Sequence, residues 1–407
     1  MSSPIAILSA IISPSPPDGT PVATPRPSRL GPVTCRASRG DGSFISVPPA
    51  IGRSGAGQDT GPRGRSLAAP LPRGRAPSRR RLANVWIVKI VVESSRTLNS
   101  ELRGPVLKIG TRGSALALAQ SGMVVAELGR HGYRAELVVI STAGDRIQDR
   151  ALTEIGGKGL FVKEIEDALL RSEIDLAIHS MKDVPAVMHS ELQVGAIPKR
   201  ADPRDVLVPS DPAVRRVEDL PEGALIATGS LRRKLQLSAI RPDLRFTELR
   251  GNVDTRLRKV RAGEGGMGGT ILAAAGLARL GVSVPEGIPL SPEQMLPAIG
   301  QGALCIQTRA DAFELEELLL TIHDADTATC VSAERELLER LGGDCRTPIA
   351  GFGMVDGNEI WLRGWVASVD GRQRFSAELR SPTAYARRSG GALAEALVRD
   401  GAGAVLR

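Results

Sequence analysis

The sequence predicts an α/β protein of two lobes joined by two chain crossings, with a smaller α/β unit after them. Three observations carry that prediction. Short apolar runs alternate with helical patterns from Val106 onward, the arrangement of sheets covered by helices. One strand-loop-helix pattern occurs twice, at Thr111-Arg112-Gly113-Ser114 and at Thr228-Gly229-Ser230-Leu231-Arg232-Arg233. The C-terminal part changes character, with two alternating segments about Asp370-Gly371 that spell a β-hairpin.

At 407 residues the chain is too long for one hydrophobic core. Its formal net charge of +8 is unevenly spread: residues 1–84 hold twelve Arg, no Lys and three Asp, which is +9, so the remainder carries −1. A nearly neutral body argues against nucleic-acid binding and requires any anion site within it to concentrate cations locally. Cys35, Cys305, Cys330 and Cys345 are too few and scattered for a disulfide framework and form no CxxC pair, which points to a reducing compartment. His131, His179, His189 and His323 form no ligand pair, so no bound metal is expected. The apolar runs 6–13 and 85–92 fall short of a membrane span, so a soluble protein is expected.

Residues 1–105 read as a disordered Pro/Arg/Ser-rich extension: half of the 28 prolines lie in the first hundred residues, and apolar periodicity is slight. Such an Arg-rich, acid-poor stretch also resembles an organelle transit peptide, and a start assigned too far upstream is a third reading. The run RGRAPSRRR at 73–81 fits a solvated tail better than a nucleic-acid contact.

Downstream, 106–109 reads as a strand and 115–130 as a helix, with Ser114 as its cap and Arg112 beside free N–H groups that suit an anion. A strand over 136–141 leads to a polar, Gly-rich loop, 142–158, read as a mobile lid; its GGKG lacks the spacing of a nucleotide loop. A helix over 160–171 and a buried strand over 175–178 follow. His179-Ser180-Met181-Lys182-Asp183-Val184-Pro185 then sets a hydroxyl, an ammonium and a carboxylate within four residues at a strand's carboxyl end, where open α/β sheets hold ligands. Taken alone, Asp183 suits a turn before Pro185 better than a catalytic role. A strand over 192–197 precedes the first crossing at 199–204. The second lobe takes strands at 205–208, 224–227 and 245–249, a helix to about 240, and Arg250 and Arg256 six apart before another helix. GEGGMGG at 263–269 reads as a flexible loop, followed by a strand over 270–274 and a short helix from 276. Residues 296–306 read as a strand returning to the first lobe; helices run from 314 to 341, then the hairpin 359–369 and 372–379 and a last helix over 383–399. The resulting domains are 106–201 with 300–322, then 202–299, then 323–407.

In order and spacing, TRGSALALAQ, GGKGLFVKE, HSMKDVP, DPRDVLV, TGSLRR, LRGNVDTRL, AAAGLARLG, LPAIGQGA and GGDCRTPIAG resemble the porphobilinogen deaminase (hydroxymethylbilane synthase) family across Val106 to Arg407. Each motif is modest and the ordered set is specific. The resemblance implies two domains like periplasmic binding proteins with a double crossover and a third, small C-terminal α/β domain with an antiparallel sheet. It implies a dipyrromethane cofactor on a thioether at Cys345, with Cys305 and Cys330 as buried packing residues. The activity it implies is a transferase of tetrapyrrole (haem and chlorophyll) biosynthesis. Four porphobilinogens are joined head to tail with loss of ammonia, and hydrolysis releases hydroxymethylbilane.

Carried over residue by residue, Asp183 is catalytic; Ser180, Lys182, Thr228, Ser230, Arg232, Arg233, Arg250 and Arg256 bind the cofactor; Arg112, Ser114, Lys158, Arg279 and Gln301 bind substrate. The assignment has a physical logic. Each pyrrole carries an acetate and a propionate, so the growing chain is an anion that needs many fixed cations, and the arginine fork grips a carboxylate at two points. Losing ammonia leaves a cation on the ring nitrogen, which a carboxylate stabilises. The resemblance also implies porphobilinogen as the small-molecule partner, a monomer, and a cytoplasmic location, or a plastid or mitochondrial one if the extension is a transit peptide. Departures from the family pattern are Gly229, Asp344 and the tract 265–269. The rival reading is a non-catalytic two-lobed anion-binding protein, which has no need of a covalently loaded cysteine.

Overall fold

A computed structural model describes residues 34–39, 44–45, 85–86, 103–146, 161–343 and 347–406. Three strands, β1 (Thr34–Arg39), β2 (Phe44–Ile45) and β3 (Val85–Trp86), lie within the stretch expected to lack order, and β4 (Arg103–Thr111) begins before Val106. These pieces join existing sheets through main-chain hydrogen bonds, which composition does not register.

The first lobe continues with α1 (Ala115–Arg130), β5 (Tyr133–Ile140), α2 (Ala143–Arg146), α3 (Lys163–Leu170), β6 (Leu176–Ser180) and β7 (Leu192–Ala196). The second holds β8 (Asp205–Pro209), β9 (Leu225–Ala227), α4 (Leu231–Ile240), β10 (Arg245–Thr247), α5 (Val253–Arg261), β11 (Met267–Ala273), α6 (Ala274–Arg279) and β12 (Ile288–Leu290). The chain returns through β13 (Leu304–Arg309) and ends in α7 (Glu316–Ile322), α8 (Ala325–Leu341), β14 (Ile349–Asp356), β15 (Glu359–Ala367), β16 (Gln373–Pro382) and α9 (Ala386–Arg399).

The first sheet runs β3-β5-β4-β6-β13-β7 and the second β10-β9-β11-β8-β12. Setting β3 aside, the two orders are the same. Each has a parallel trio, β5-β4-β6 or β10-β9-β11, flanked by an antiparallel strand that arrives across a crossing, β13 or β8. The final strand, β7 or β12, is antiparallel to that visitor. Each sheet is thus completed by a strand entering from the other lobe, which is why two crossings are needed. This is the two-lobed α/β arrangement, and α1 of the first lobe packs on α6 of the second. The third unit is the antiparallel sheet β14-β15-β16, extended by β1 and β2, with α8 and α9 on it.

Each unit has its own core. Ile109, Leu128, Leu137, Leu176 and Ile306 fill the first, Leu207, Ile226, Leu237 and Ile271 the second, and Leu337, Ile360, Leu362, Leu393 and Leu397 the third. Each such side chain contributes about 1.5–3 kcal/mol by leaving water. Helix ends follow local chemistry. Asp324 accepts from the Thr327 N–H (2.8 Å) to start α8, and Gly342, with φ of 66°, lets the chain leave it toward residues 344–346.

Two further expectations need correction. The glycines of 263–269 are partly strand: β11 absorbs Gly268 and Gly269, and a Cβ at Gly269 would meet the Val208 carbonyl oxygen at 3.0 Å, so close packing rather than flexibility calls for glycine there. Residues 296–303 are turn rather than strand, because Gly300 (φ +69°) and Gly302 (φ +89°) adopt left-handed backbone that no strand accepts. The strands β12 and β14 were not anticipated. Among the described residues no helix is long and apolar enough to cross a membrane.

Candidate functional site

The strand β6 ends at Ser180, and Met181–Asp183 forms one 3-10 turn closed by the Val184 N–H on the Met181 carbonyl (3.2 Å). Buried Met181 and Val184 root the turn in apolar packing, while Lys182 and Asp183 between them stay exposed. The Met181 N–H donates to Ala303 (3.0 Å), and a Cβ on Gly300 would come within 2.6 Å of Met181 Cγ, so the second crossing lies directly against this turn. Arg335 of α8 donates to the carbonyls of Pro185 (2.8 Å) and Ala186 (3.2 Å) just beyond. Ser180 Oγ accepts from Gln120 Nε2 of α1 at 2.9 Å. His179 is buried against Gln307 (3.0 Å), and burial brings its pKa down to about 4, so it is neutral near pH 7. Among the described residues, Asp183 makes no hydrogen bond or ion pair, so its carboxylate is open to a ligand.

Opposite this turn stands a wall of cations from the second lobe. Ser230 caps α4, accepting from the Arg233 N–H (3.4 Å), and Thr228 Oγ1 accepts from the Ser230 N–H (3.2 Å). Arg232 and Arg233 open that helix and both are buried on Asp205. Burial raises the Asp205 pKa, but the two guanidiniums outweigh it and hold the carboxyl well below the usual range. Arg256 donates Nε to the Gly251 carbonyl (2.9 Å); its pKa is lowered by burial and then by the charge of Arg233. Arg250 lies 3.7 Å from Glu248 at the rim. Arg279 donates Nη2 to the Gly302 carbonyl (2.6 Å), while its buried Nε has no partner.

Lys182 couples the two sides. Open along one edge, it is crowded by protein on the others, and its pKa is lowered to about 8, first by lost solvent and then by Arg233 and Arg232, against the opposing pull of Asp183 and Asp205. Its Nζ donates to Gln301 Oε1 at 3.4 Å.

Other expected site residues have different surroundings. Arg112 is engaged by Asp145 (2.5 Å) and lies 4.1 Å over the Phe161 ring, so its fork is not free for a carboxylate. Ser114 spends its hydroxyl on the Ala117 N–H (3.3 Å) as the cap of α1. Gln301, expected to touch substrate, is 1% exposed, its amide tied to Pro203, Asp205 and Lys182. Lys158 and Cys345 lie outside the described residues. Cys305 and Cys330 are buried, as their apolar contexts suggest, and burial pushes both thiols up to about 12, so neither is a thiolate near pH 7.

Sequence reasoning missed Asp205, Gln120, Asp145 and Arg335. Asp205 stood inside DPRDVLV, but a lone acid opening an apolar strand gives no sign of partners 28 and 96 residues away. Among the described residues no group of three or more His, Cys, Asp or Glu side chains is placed to hold a metal ion.

Comparison with known proteins adds the following. Residues 107–317 match the profile described as porphobilinogen deaminase, dipyromethane cofactor binding domain, and residues 328–399 match porphobilinogen deaminase, C-terminal domain. The chain is 50% identical over 304 residues to the porphobilinogen deaminase of Syntrophobacter fumaroxidans, spanning 74% of this chain and 97% of that one. It is 49% identical to the porphobilinogen deaminase of Brevibacillus brevis, over 74% of this chain and 96% of that one. Among solved structures, the substrate binding protein of a methionine transporter from Streptococcus pneumoniae aligns with 57% of this chain and 93% of its own at 12% identity and a TM-score of 0.34, a likeness too slight to carry weight.

Proposed function

From the premise that the chain belongs to the porphobilinogen deaminase family, we infer that it is a hydroxymethylbilane synthase. This transferase joins four porphobilinogens head to tail with release of ammonia and frees the linear tetrapyrrole by hydrolysis. One observation carries the reading to this chain's own residues. Burial and then the charges of Arg233 and Arg232 lower the pKa of Lys182, next to the exposed carboxylate of Asp183, and burial with the charge of Arg233 lowers those of Arg232 and Arg256. Cations that crowd one another in this way are stabilised by an added anion.

A dipyrromethane, with its acetates and propionates, suits that donor set, and the partnerless buried Nε of Arg279 is a further N–H awaiting an acceptor. Bound there, the cofactor supplies the primer for chain growth. Cys345 is our candidate for its attachment, supported by the raised pKa values of Cys305 and Cys330, which make poor nucleophiles. In this reading Arg232, Arg250, Arg256 and Lys182 hold the carboxylates, with Ser180, Thr228, Ser230 and Arg233 shaping the cradle. Charge-assisted contacts of this kind are worth roughly 1.5–3 kcal/mol each, enough in combination to retain intermediates between additions. Asp183 acts at the ring nitrogen of the incoming porphobilinogen, stabilising positive charge as ammonia departs and accepting the proton that restores neutrality. Arg112 reaches a substrate carboxylate only by giving up Asp145, and Ser114 contributes through the N-terminus of α1 that it caps. Lys158 is assigned to substrate on its motif alone. We read the enzyme as a cytoplasmic monomer that needs no metal.

The test is stoichiometry. Incubated with porphobilinogen, the purified full chain should release four ammonia molecules per linear tetrapyrrole. Saturable binding without ammonia release would instead favour the two-lobed receptor.

A further inference from the structure

Asp205 is the first residue of β8, where the chain enters the second lobe, and it is fully buried. Its Oδ1 accepts from Arg233 Nη2 (2.7 Å), Arg233 Nε (3.1 Å) and Gln301 Nε2 (3.0 Å), and Arg232 Nη1 stands 2.8 Å from Oδ2. The remaining bonds of these partners are equally defined: Arg233 Nη1 goes to the Ile271 carbonyl (2.9 Å) and Arg232 Nη1 to that of Leu296 (2.8 Å). Gln301 Nε2 also donates to the Pro203 carbonyl (2.7 Å). Because both neighbours of that nitrogen are oxygens, the amide has one sensible orientation, which turns Oε1 to the ammonium of Lys182. One acid therefore gathers two arginines of the second lobe and Gln301 of the second crossing, and Gln301 in turn bonds Pro203 of the first crossing and Lys182 of the first lobe.

We propose that Asp205 is a positioning residue: its buried carboxylate fixes Arg232 and Arg233 in the cation wall and, through the Gln301 amide, fixes Lys182 beside Asp183, so the two sides of the site are held in register by a single charge. The inference rests on the function read above, in which Lys182 holds a carboxylate. It is supported by electrostatics. The charged groups facing Lys182 are Asp183 and Asp205, which favour the ammonium, and Arg232 and Arg233, which oppose it; those facing Asp205 are Arg232, Arg233 and Lys182. Removing the Asp205 charge leaves Asp183 alone to oppose the two arginines, so Lys182 should lose its proton at lower pH.

The experiment uses Asp205→Asn, which keeps shape and removes charge, and Gln301→Met, which leaves the Asp205–arginine contacts and cuts the tie to Lys182. Lys182 is followed in the full chain by NMR of 13C-lysine-labelled protein, its resonance identified with Lys182→Arg, so this readout needs no turnover. In Asp205→Asn the Lys182 titration should move down by about one pH unit, the order expected for losing one nearby charge in a partly desolvated site. Intact mass should also show less covalently loaded protein. If that variant does not fold, Gln301→Met decides: with its melting temperature near that of the parent, kcat/KM should fall by about fivefold through a higher KM, the scale of one lost contact. A folded variant of either kind whose Lys182 titration and KM match the parent overturns the proposal. A parent chain that does not consume porphobilinogen would sink the functional reading instead, and the NMR titration would still decide this one.

Discussion

Replacing Asp183 by Asn separates chemistry from folding more cleanly than any other change. The side chain is exposed on the turn after β6 and makes no hydrogen bond or ion pair among the described residues, so the substitution should alter stability by no more than about 0.5 kcal/mol. Rooting of the turn rests on Met181, Val184 and the Arg335 contacts with the following carbonyls, none of which the change touches. In the proposed mechanism, what disappears is a negative charge where positive charge develops, and a proton acceptor with it. Loss of such a group lowers rate by roughly 10²–10⁴-fold, or about 2.7–5.4 kcal/mol of barrier. The assay is ammonia release at saturating porphobilinogen, with intact mass to confirm the covalent dipyrrole and a melt to confirm the fold. A loaded, folded Asn variant with kcat within about threefold of the parent would remove Asp183 from the mechanism.

Further outcomes follow from particular contacts. Glu334 is fully buried, accepts from Arg200 at 2.5 and 3.1 Å and from the Gly300 (2.7 Å) and Gly353 (2.9 Å) N–H groups, so Glu334→Ala strands a buried guanidinium and should cost about 3–5 kcal/mol in urea unfolding; an unchanged midpoint would contradict this. Lys182 predicts an alkaline limb in kcat/KM near pH 8, activity falling as the ammonium is lost, and Lys182→Arg should move that limb upward. The sign for stability is opposite: because its folded pKa is depressed, the unfolded chain binds the extra proton between about pH 8 and 10.5, so this residue's contribution to stability rises with pH there. Cys305→Ala should load cofactor like the parent, measured by intact mass, because a thiol pushed up to about 12 is no nucleophile.

Legibility in the sequence tracked the range of the interactions. The helix α1 was readable to the residue, since Ser114 and Gly132 bracket it and the apolar positions 116, 119, 123, 124 and 128 recur at helical spacing, although of these Met123 faces solvent while Val124 and Leu128 are buried. The second hairpin was readable from alternation about Asp370-Gly371. By contrast, 296–303 looked like a strand because it is apolar, yet its apolar groups serve a turn in which Leu296 N–H bonds Gln236 Oε1 (2.8 Å) and Gly300 abuts Met181. The repeated sheet order was invisible because it resides in strand pairing, with only the two cradles leaving a mark on the sequence. In the site, Lys182 and Asp183 are exposed on the turn that follows β6. Arg112 and Gln301 did not stand free, because Asp145 and Asp205, acids distant in sequence, had already claimed them. Long-range ion pairing leaves no local period to read.

The central claim is a tethered primer elongated within a cation-lined site, and intact mass tests it most directly. The parent chain should carry the added mass of one dipyrrole, lost in Cys345→Ala, and brief exposure to limiting porphobilinogen should add a ladder of single-pyrrole steps. A parent with no adduct, or an adduct that survives in Cys345→Ala, would contradict it.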